Sequence, residues 1–579
     1  MLHFAQTAES IAATTGKLAK TALLAAYLRS LPPSDAAIAA IFFSGRPFAA
    51  YKEATLQVGG ALLWRTITEL SGKPEHALTE IYRRHGDAGA VAADALPSKS
   101  RSVLALRDVQ QAFDEIAGAR GPAAKAALLR QLLERATPLE AKYIVKIISG
   151  DLRIGLKESL VEEAIAEAYD APLAQVKRAN MLLGDLGETL VLGSSQKLDQ
   201  AHLRLFHPID FMLASPVDSA EEALAYFENA AVEDKYDGIR AQAHISHGEA
   251  RLFSRTRDEI TESFPELPPA LAGLPQDAIL DGEIVAWSFE QAPQAPDISF
   301  PAADPRLTTG RAQPFSKLQQ RLGRKKVSDK LMREVPIAYL VFDILHLNGE
   351  LLLERPLRER ARILTDFLAM PRVATTRRSQ PQSAFAFEPL DASPDAPVLR
   401  APVSSAHSAD DIEQLFTAAR ARGNEGLMIK DLDSRYTPGR RGKSWLKMKR
   451  ELATLDVVVT AVEYGHGKRI GVLSDYTFAV WDGDRLVNVG KAYSGLTDAE
   501  IAEMTEWFLA HKVNQHGLRL EVEPKIVLEV AFNNMMRSTR HESGYALRFP
   551  RIVRLRTDKR PEDADTIKTV QEIFEQQSE

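Results

Sequence analysis

Apolar positions recur at three- and four-residue spacing from the N-terminus to about residue 205, then change to short alternating runs broken by Gly and Pro. The first pattern predicts helices. Residues 123–135 (Ala-Ala-Lys-Ala-Ala-Leu-Leu-Arg-Gln-Leu-Leu-Glu-Arg) and 158–169 are amphipathic on this reading, with punctuation at Pro32-Pro33, Gly59-Gly60 and Gly121-Pro122. The second pattern predicts strands at 278–287 and 337–347, and a hairpin in which 241–245 continues the strand through Lys235 and 250–255 returns. From about 450 onward the runs 455–463, 476–481, 485–489 and 525–532, with one helix near 498–511, have the cadence of a small β-barrel of the OB type. Two Pro- and Ala-rich stretches, 291–316 and 370–406, are expected to be loops or insertions. The expected architecture is multidomain: an all-α domain over 1–205, an α+β domain over 206–449 and a β-barrel over 450–579.

Length agrees with that division, because 579 residues exceed what one core organises. The chain has no cysteine, which excludes disulfides, thiolate zinc sites and cysteine nucleophiles. Its start lacks the charged and apolar regions of a secretory leader, and no apolar run is long enough to span a membrane, so a cytoplasmic protein is expected. A net charge of −6 argues against a uniformly basic nucleic-acid binder and directs attention to local basic patches.

Candidate chemistry concentrates after residue 230. Lys235-Tyr-Asp-Gly-Ile-Arg240 sets an amine, a carboxylate and a guanidinium around Gly238, which permits a tight turn and close approach of backbone to a ligand. Arg255 ends the returning arm of the hairpin and can reach the same pocket. Asp281-Gly-Glu283 sits inside an apolar strand, where a carboxylate needs a partner or a metal. Glu425-Gly426 opens another strand. Residues 436–450 are basic without relief, and Lys447 and Lys449 share one strand face, repelling each other unless an anion lies between them. Arg554 and Arg556 alternate in a second basic strand, followed by Asp558 and Lys559; a solvated basic edge is the competing reading. Among the helices, the connection Ser149-Gly-Asp-Leu-Arg-Ile-Gly-Leu156 could offer backbone N–H groups to a phosphate, or could be a plain link.

Taken in order, Lys235-Tyr-Asp-Gly-Ile-Arg240, Asp281-Gly-Glu283, the strand of Phe342, Glu425-Gly426, Lys447-Met-Lys449 and Arg554-x-Arg-x-Asp-Lys559 resemble the six motifs of covalent nucleotidyltransferases. Leu213-Ala-Ser-Pro216, Pro314-Phe315 with Arg324-Lys-Lys326, Leu347-Asn-Gly349 and Arg548-Phe-Pro-Arg551 resemble the ATP-dependent DNA ligases of archaeal and eukaryotic type, and the Ala-rich composition suggests a bacterial branch. The resemblance covers nearly the whole chain. It implies a DNA-binding domain, an adenylation (nucleotidyltransferase) domain and an OB-fold domain, in a monomer that encircles nicked duplex DNA.

The resemblance also implies residue roles. Lys235 is the nucleophile that takes AMP from ATP. Glu233 holds the adenine edge, Phe342 stacks on the base, and Arg240 and Glu283 meet the ribose region. Arg255, Arg441 and Lys447 contact the nucleotide, Lys447 and Lys449 lie near the α-phosphate, and Asp558 and Lys559 orient the leaving pyrophosphate. Asp237, Glu283 and Glu425 are the carboxylates for Mg2+ or another divalent cation. Arg153, Gly155, Arg548, Arg551, Arg554 and Arg556 face DNA. Partners would be nicked DNA and a sliding clamp or repair proteins, in replication, repair or recombination in the cytoplasm, at the nucleoid in a bacterium. An RNA ligase or capping enzyme shares the core but has no need of the large helical domain. An NAD-dependent ligase is disfavoured by the missing cysteines, and a nick-binding protein without catalysis by intact Lys235, Glu425 and Lys447.

Overall fold

Helices form where the three-and-four spacing placed them. In the computed structural model the described residues are 1–52, 55–97, 101–227, 230–288, 310–322, 324, 326–371, 398–449, 453–465, 469 and 471–576. Among them, twelve α-helices run from Leu2–Ala13 to Leu186–Ser194, including Pro122–Arg135 and Glu158–Ala168. The chain divides into two compact units, Met1–Lys177 with Asp185–Gln200 and Glu451–Glu579, and Arg178–Gly184 with Ala201–Arg450.

In the first unit, the connection between helices Pro138–Ile148 and Glu158–Ala168 is held by cations beneath it. Lys20 Nζ donates to the Ile154 carbonyl at 2.6 Å and Lys146 Nζ to the Leu152 carbonyl at 3.0 Å. Arg153 adopts φ +53° and its Nη1 donates to the Gly86 carbonyl at 2.6 Å. Gly155 adopts φ +71°, a conformation that L side chains rarely take, and an added Cβ would lie 2.6 Å from Lys20 Nζ, which would have to shift.

The same unit holds the C-terminal strands, which form a curled sheet. For use below, strands are numbered along the whole chain; β1 to β12 belong to the second unit. Here β13 (Ala453–Tyr464), β14 (Leu473–Asp482), β15 (Arg485–Ala492), β16 (Lys512–His516), β17 (Arg519–Val522), β18 (Val527–Phe532) and β21 (Arg551–Leu555) pair together. The long β13 pairs with β18 over its first half and with β14 and β17 over its second. A side hairpin joins β19 (Asn534–Arg537) to β20 (Tyr545–Arg548). The helix Asp498–Ala510 was expected; the β16–β17 hairpin and the closing helix Ile567–Gln576 were not. Its core packs apolar side chains from Leu455 to Val570.

In the second unit two sheets face each other. One has the order β1-β12-β11-β2-β10, made of β1 (Leu213–Val217), β2 (Ala230–Lys235), β10 (Ser404–Ala406), β11 (Gly426–Asp431) and β12 (Arg441–Met448). The other has the order β4-β3-β5-β7-β8, made of β3 (Ile239–Ser246), β4 (Glu249–Ser254), β5 (Ala278–Ser288), β7 (Ile337–Leu347) and β8 (Glu350–Leu351). Here β6 (Arg311–Ala312) pairs with β5 and β9 (Val398–Arg400) with β7. Alternation decides which residues go where. Leu280, Ile284 and Ala286 of β5 join the outer core under helix Leu357–Ala369, while Val285 and Trp287 point inward. Val232, Leu427, Ile429, Leu446 and Met448 likewise pack outward against helix Ala409–Ala421.

Two expectations need correction. The strand of Lys235 does not run on into the hairpin: β2 and β3 belong to different sheets, and Tyr236–Gly238 carries the chain between them. Gly238 is also crowded by protein, since an added Cβ would lie 2.3 Å from the Ile284 carbonyl oxygen and 2.9 Å from Glu283 Cγ. The two stretches read as loops contain structure at their ends: β6 and the helix Phe315–Leu318 in one, β9 and β10 in the other. Their remaining parts, 289–309 and 372–397, lie outside the described residues.

Candidate active site

Lys235 ends β2, and pairing aligns it with Gly426 of β11. Its Nζ is ion-paired with Glu425, both side chains about one-fifth exposed, at 21% and 20%. The Glu425 N–H donates to the Lys235 carbonyl at 2.8 Å, so backbone as well as side chain fixes the pair. The opposite face of β2 supports this. Asp234 accepts from Arg422 at 2.8 and 2.7 Å and from Asn424 at 2.7 Å, anchoring the loop that delivers Glu425.

Two residues back, Glu233 shares the face of Lys235. In register across the sheet stand Glu233, Met428 and Lys447. The next row brings Lys430 of β11 opposite Trp445 of β12. Lys430 is buried and donates to Glu233 Oε2 at 2.6 Å. Its ammonium also lies 4.2 Å from the Phe342 ring centre and 4.4 Å from that of Trp445. Thus Phe342, from β7, meets the Glu233 face across the space between the sheets.

Positive charge collects beside Lys235. Burial lowers the Lys447 ammonium from its ordinary value, and Lys449, Lys235, Arg441 and Arg255 lower it further. These five cations therefore act on one another, although β2, β12 and the segment after β4 are far apart in sequence. Such a group favours a further anion beside it, a role that phosphates fit.

Facing it on β5, Glu283 lies opposite Arg240 of β3. Burial pushes its carboxyl up to about 8, against the pull of Lys235 and Arg240. Unfolded, the same carboxyl titrates near about 4.3. Between these values the folded chain keeps a proton that the unfolded chain has released. Stability from this group is complete below the unfolded value and is lost as pH rises through the folded one. Glu283→Gln cannot ionise. Its melting temperature, measured without nucleotide or metal, is expected to pull ahead of the wild type from about pH 5 to about pH 8 and to hold a lead of several degrees above that. Parallel pH profiles would show instead that Glu283 is ionised throughout.

Arg240 is already committed. Its Nε and Nη2 donate to Asp281 at 3.1 and 2.7 Å, and Nη1 donates to the Met212 carbonyl at 2.7 Å. Tyr436 donates its hydroxyl to the same Asp281 at 2.7 Å. The carboxylate inside the apolar strand thus has its partners.

Asp237 lies in the turn between β2 and β3, and the predicted residues of the C-terminal strands lie in the other unit. Arg554 pairs with Glu529 at 2.6 Å, and Arg556 with Asp456 at 2.9 Å and Asp558 at 2.8 Å. Lys559 pairs with Asp456 at 2.6 Å. The strand is therefore braced by carboxylates rather than left as a bare basic edge. Arg551 is exposed on β21, and Arg548 ends β20 with its guanidinium 5.0 Å from the Phe549 ring centre.

Residues 1–166 match the family model described as DNA ligase N terminus, 211–299 with 306–449 that of the ATP dependent DNA ligase domain, and 469–559 that of the ATP dependent DNA ligase C terminal region. A protein of Koribacter versatilis (strain Ellin345) named "Probable DNA ligase" is 55% identical over 100% of this chain and 97% of its own. The chain belongs to the ATP-dependent DNA ligase family. A "DNA ligase" of Methanothrix thermoacetophila is 35% identical over 99% of this chain and 98% of its own. The solved structure Pmar-Lig_PreS3 aligns over 96% of this chain and 99% of its own with a TM-score of 0.59 at 17% identity, a likeness of fold. Among the described residues of the ligase, no helix is long and apolar enough to cross a membrane.

Sequence reasoning missed Lys430 and Tyr436, which the structure brings against Glu233 and Asp281. Lys430 was visible as the only charge in Leu427-Met-Ile-Lys430, on the same strand face as Met428 and Gly426. Tyr436 gave no local signal, because its partner Asp281 comes from a distant strand.

Proposed function

We propose that this chain seals nicks in duplex DNA through a lysine–AMP intermediate on Lys235, joining 3′-hydroxyl to 5′-phosphate ends. The observation that carries the reading is one amine, Lys235, held by Glu425 and gathered with four further cations that act on one another. An amine must lose its proton to attack phosphorus, and Glu425 is the base in contact with it. Attack forms an N–P bond to the α-phosphorus of ATP and breaks the bond to the bridging oxygen, releasing pyrophosphate. Lys447, Lys449, Arg441 and Arg255 neutralise the phosphate oxygens as charge builds on them. AMP then passes from Lys235 to the 5′-phosphate at the nick. The 3′-hydroxyl attacks that phosphate, the phosphodiester forms and AMP leaves.

Asp237, Glu283 and Glu425 are the carboxylates offered to a magnesium ion. Among the described residues no group of three or more His, Asp or Glu forms a ready metal cage. That donor set suits an ion that takes one or two carboxylates and completes its shell with phosphate oxygens and water. When bound, it would supply a Lewis acid that draws charge from the transferring phosphate.

Glu233 and Phe342 are assigned the adenine, and Glu283 the ribose. Arg240 acts through Asp281 and Tyr436 on the shape of the pocket. For Asp558 and Lys559 we keep the role that the resemblance implies, orienting the pyrophosphate. Arg153, Gly155, Arg548, Arg551, Arg554 and Arg556 are assigned to DNA, read through backbone and duplex shape because a ligase must act at any sequence. An OB-type closure of the C-terminal sheet and domain limits at 205/206 and 449/450 belong to the same proposal. So do a monomer that encircles DNA, work in the cytoplasm at the nucleoid in replication, repair or recombination, and contact with a sliding clamp or repair proteins.

Intact mass after incubation with ATP and Mg2+ tests the reading. Protein freed of any prior adduct is expected to gain one AMP and to lose it on addition of nicked duplex DNA. An adduct discharged only by nicked RNA, or formed from GTP alone, would overturn the assignment.

A further inference from the structure

Alternate residues of β3 differ in kind. Ala241, Ala243 and Ile245 enter the outer apolar core, whereas Arg240, Gln242 and His244 lie on the inner face. Gln242 and His244 have no exposed surface, and polar side chains so placed need partners. They find them in the backbone of 206–212, a segment in no helix or strand, whose own buried N–H and C=O groups also need partners. The Phe206 N–H donates to His244 Nδ1 at 2.9 Å, and His244 Nε2–H donates to Gln242 Oε1 at 3.0 Å. That oxygen also accepts from the Ile209 N–H at 3.0 Å, and Gln242 Nε2 donates to the Ile209 carbonyl at 3.1 Å. Arg240 completes the series on the Met212 carbonyl. Alternate side chains of one strand thus hold a strap that runs antiparallel to it. Phe206 adopts φ +68° where it meets His244, a conformation that persists in a non-glycine residue only where its surroundings enforce it. Burial, with His346 and His207 nearby, lowers the His244 imidazole to about 3, so it keeps the neutral form in which one nitrogen accepts and the other donates.

On its other side the strap holds the segment that leads into β12. The Met212 N–H donates to the Tyr436 hydroxyl at 3.1 Å, the Gly439 N–H to the Phe211 carbonyl at 3.1 Å, and the Leu213 N–H to the Arg440 carbonyl at 2.9 Å. The chain then continues as β1, where Leu213 and Ala214 pair with Arg441 and Gly442. The pairing of β12 with β11 runs from Trp445 to Met448, so Arg441 takes its place in the sheet from β1 and the strap. We propose that Gln242 and His244 are positioning residues for the transfer of AMP to Lys235: through the strap they fix the entry to β12 and so place Arg441 among the cations that receive the phosphates. The inference rests on the reading that Lys235 takes AMP from ATP and that Arg441 meets its phosphates. Strand β3 lies in one sheet and β12 in the other, and the strap is what joins their inner faces at this point. A cation stabilises developing charge only when it is held in place beforehand, and Arg441, at the start of its strand, is held through the strap.

The test follows growth of the AMP adduct by intact mass, on the full chain freed of prior adduct, over a range of ATP concentrations with Mg2+. Gln242→Met, apolar and of nearly the same length, is expected to lower the rate at saturating ATP about tenfold and to change the KM for ATP by less than about threefold, as for an interaction made in the transition state. His244→Leu should act in the same direction. His244→Asn, whose amide oxygen can stand where Nδ1 accepts from Phe206, should recover most of that loss. Arg441→Ala should slow the reaction at least as much as Gln242→Met, and the two together should slow it little further, as expected of residues that act as one unit. A loss of stability alone would instead multiply with Arg441→Ala. A saturating rate within about twofold of wild type in Gln242→Met that a circular-dichroism melt shows to be folded, or losses that multiply, would overturn the inference alone. If Gln242→Met does not fold, His244→Leu is read in its place, and an unchanged rate there overturns the inference. An unchanged rate in Arg441→Ala overturns the role given to Arg441, and a wild-type chain that forms no adduct overturns the reading of Lys235; either takes this inference with it.

Discussion

Replacing Lys235 by arginine is expected to abolish the AMP adduct and to lower nick sealing from ATP by at least about 10^4-fold. Alanine should do the same, but arginine is the sharper variant. It preserves a cation beside Glu425, and with it most of the electrostatics that hold the end of β2. What it cannot do is lose a proton, and a guanidinium that stays charged is no nucleophile. The other amines nearby cannot substitute. Lys447 aligns with Met428 and Glu233, one row away from the Lys235–Gly426 row. The measurement is intact mass with ATP and Mg2+, beside a circular-dichroism melt to show that the variant folds. An adduct of AMP on folded Lys235→Arg would move the nucleophile elsewhere and remove the main support for the assignment.

Replacing Asp281 by alanine should destabilise the second unit by about 3–5 kcal/mol, because it leaves a buried charge uncompensated. Asp281 has no exposed side-chain surface, and Arg240 is 17% exposed. Removing the carboxylate strands two guanidinium hydrogen bonds and the Tyr436 hydroxyl at once. For a unit of this size the loss corresponds to roughly 10 °C in melting temperature. Asp281→Asn, which keeps an acceptor but not the charge, should fall between the two. Adenylation should fail with Asp281→Ala even below its melting temperature, since Arg240 is what ties β3 to Met212. A melting temperature within a degree or two of wild type would show that water replaces Asp281 and that the network is not structural.

These two residues also mark how far local reasoning reaches. Lys235 was legible because its neighbours in sequence, Asp237, Gly238 and Arg240, are unusual together in one turn. Asp281 was legible as a problem, a carboxylate in an apolar strand, but not in its solution. Its partners are 41 and 155 positions away. Gly238 shows the converse. Its need was plain from the sequence, but its reason was not: the backbone of β5, which crowds it, arrives from residues 283–285. The break between β2 and β3 was misread for the same cause. Alternation continues smoothly through Gly238, and nothing local reveals that the chain changes sheets there.

Among the helices the pattern sufficed, because a helix is built from contacts three and four residues apart. That is why Pro122–Arg135 and Glu158–Ala168 fell within one residue of expectation. The sequence by itself determined the change from helical to strand periodicity near 205 and the order of the motifs along the chain, both short-range properties of residue type and spacing. Only the tertiary structure decided which carboxylate meets Lys235, that Arg240 is occupied by Asp281, and that Lys430 is buried against Glu233. Each is a pairing across separate strands, and the register of strands far apart in the chain is set by the packing of whole sheets rather than by any stretch of residues within them.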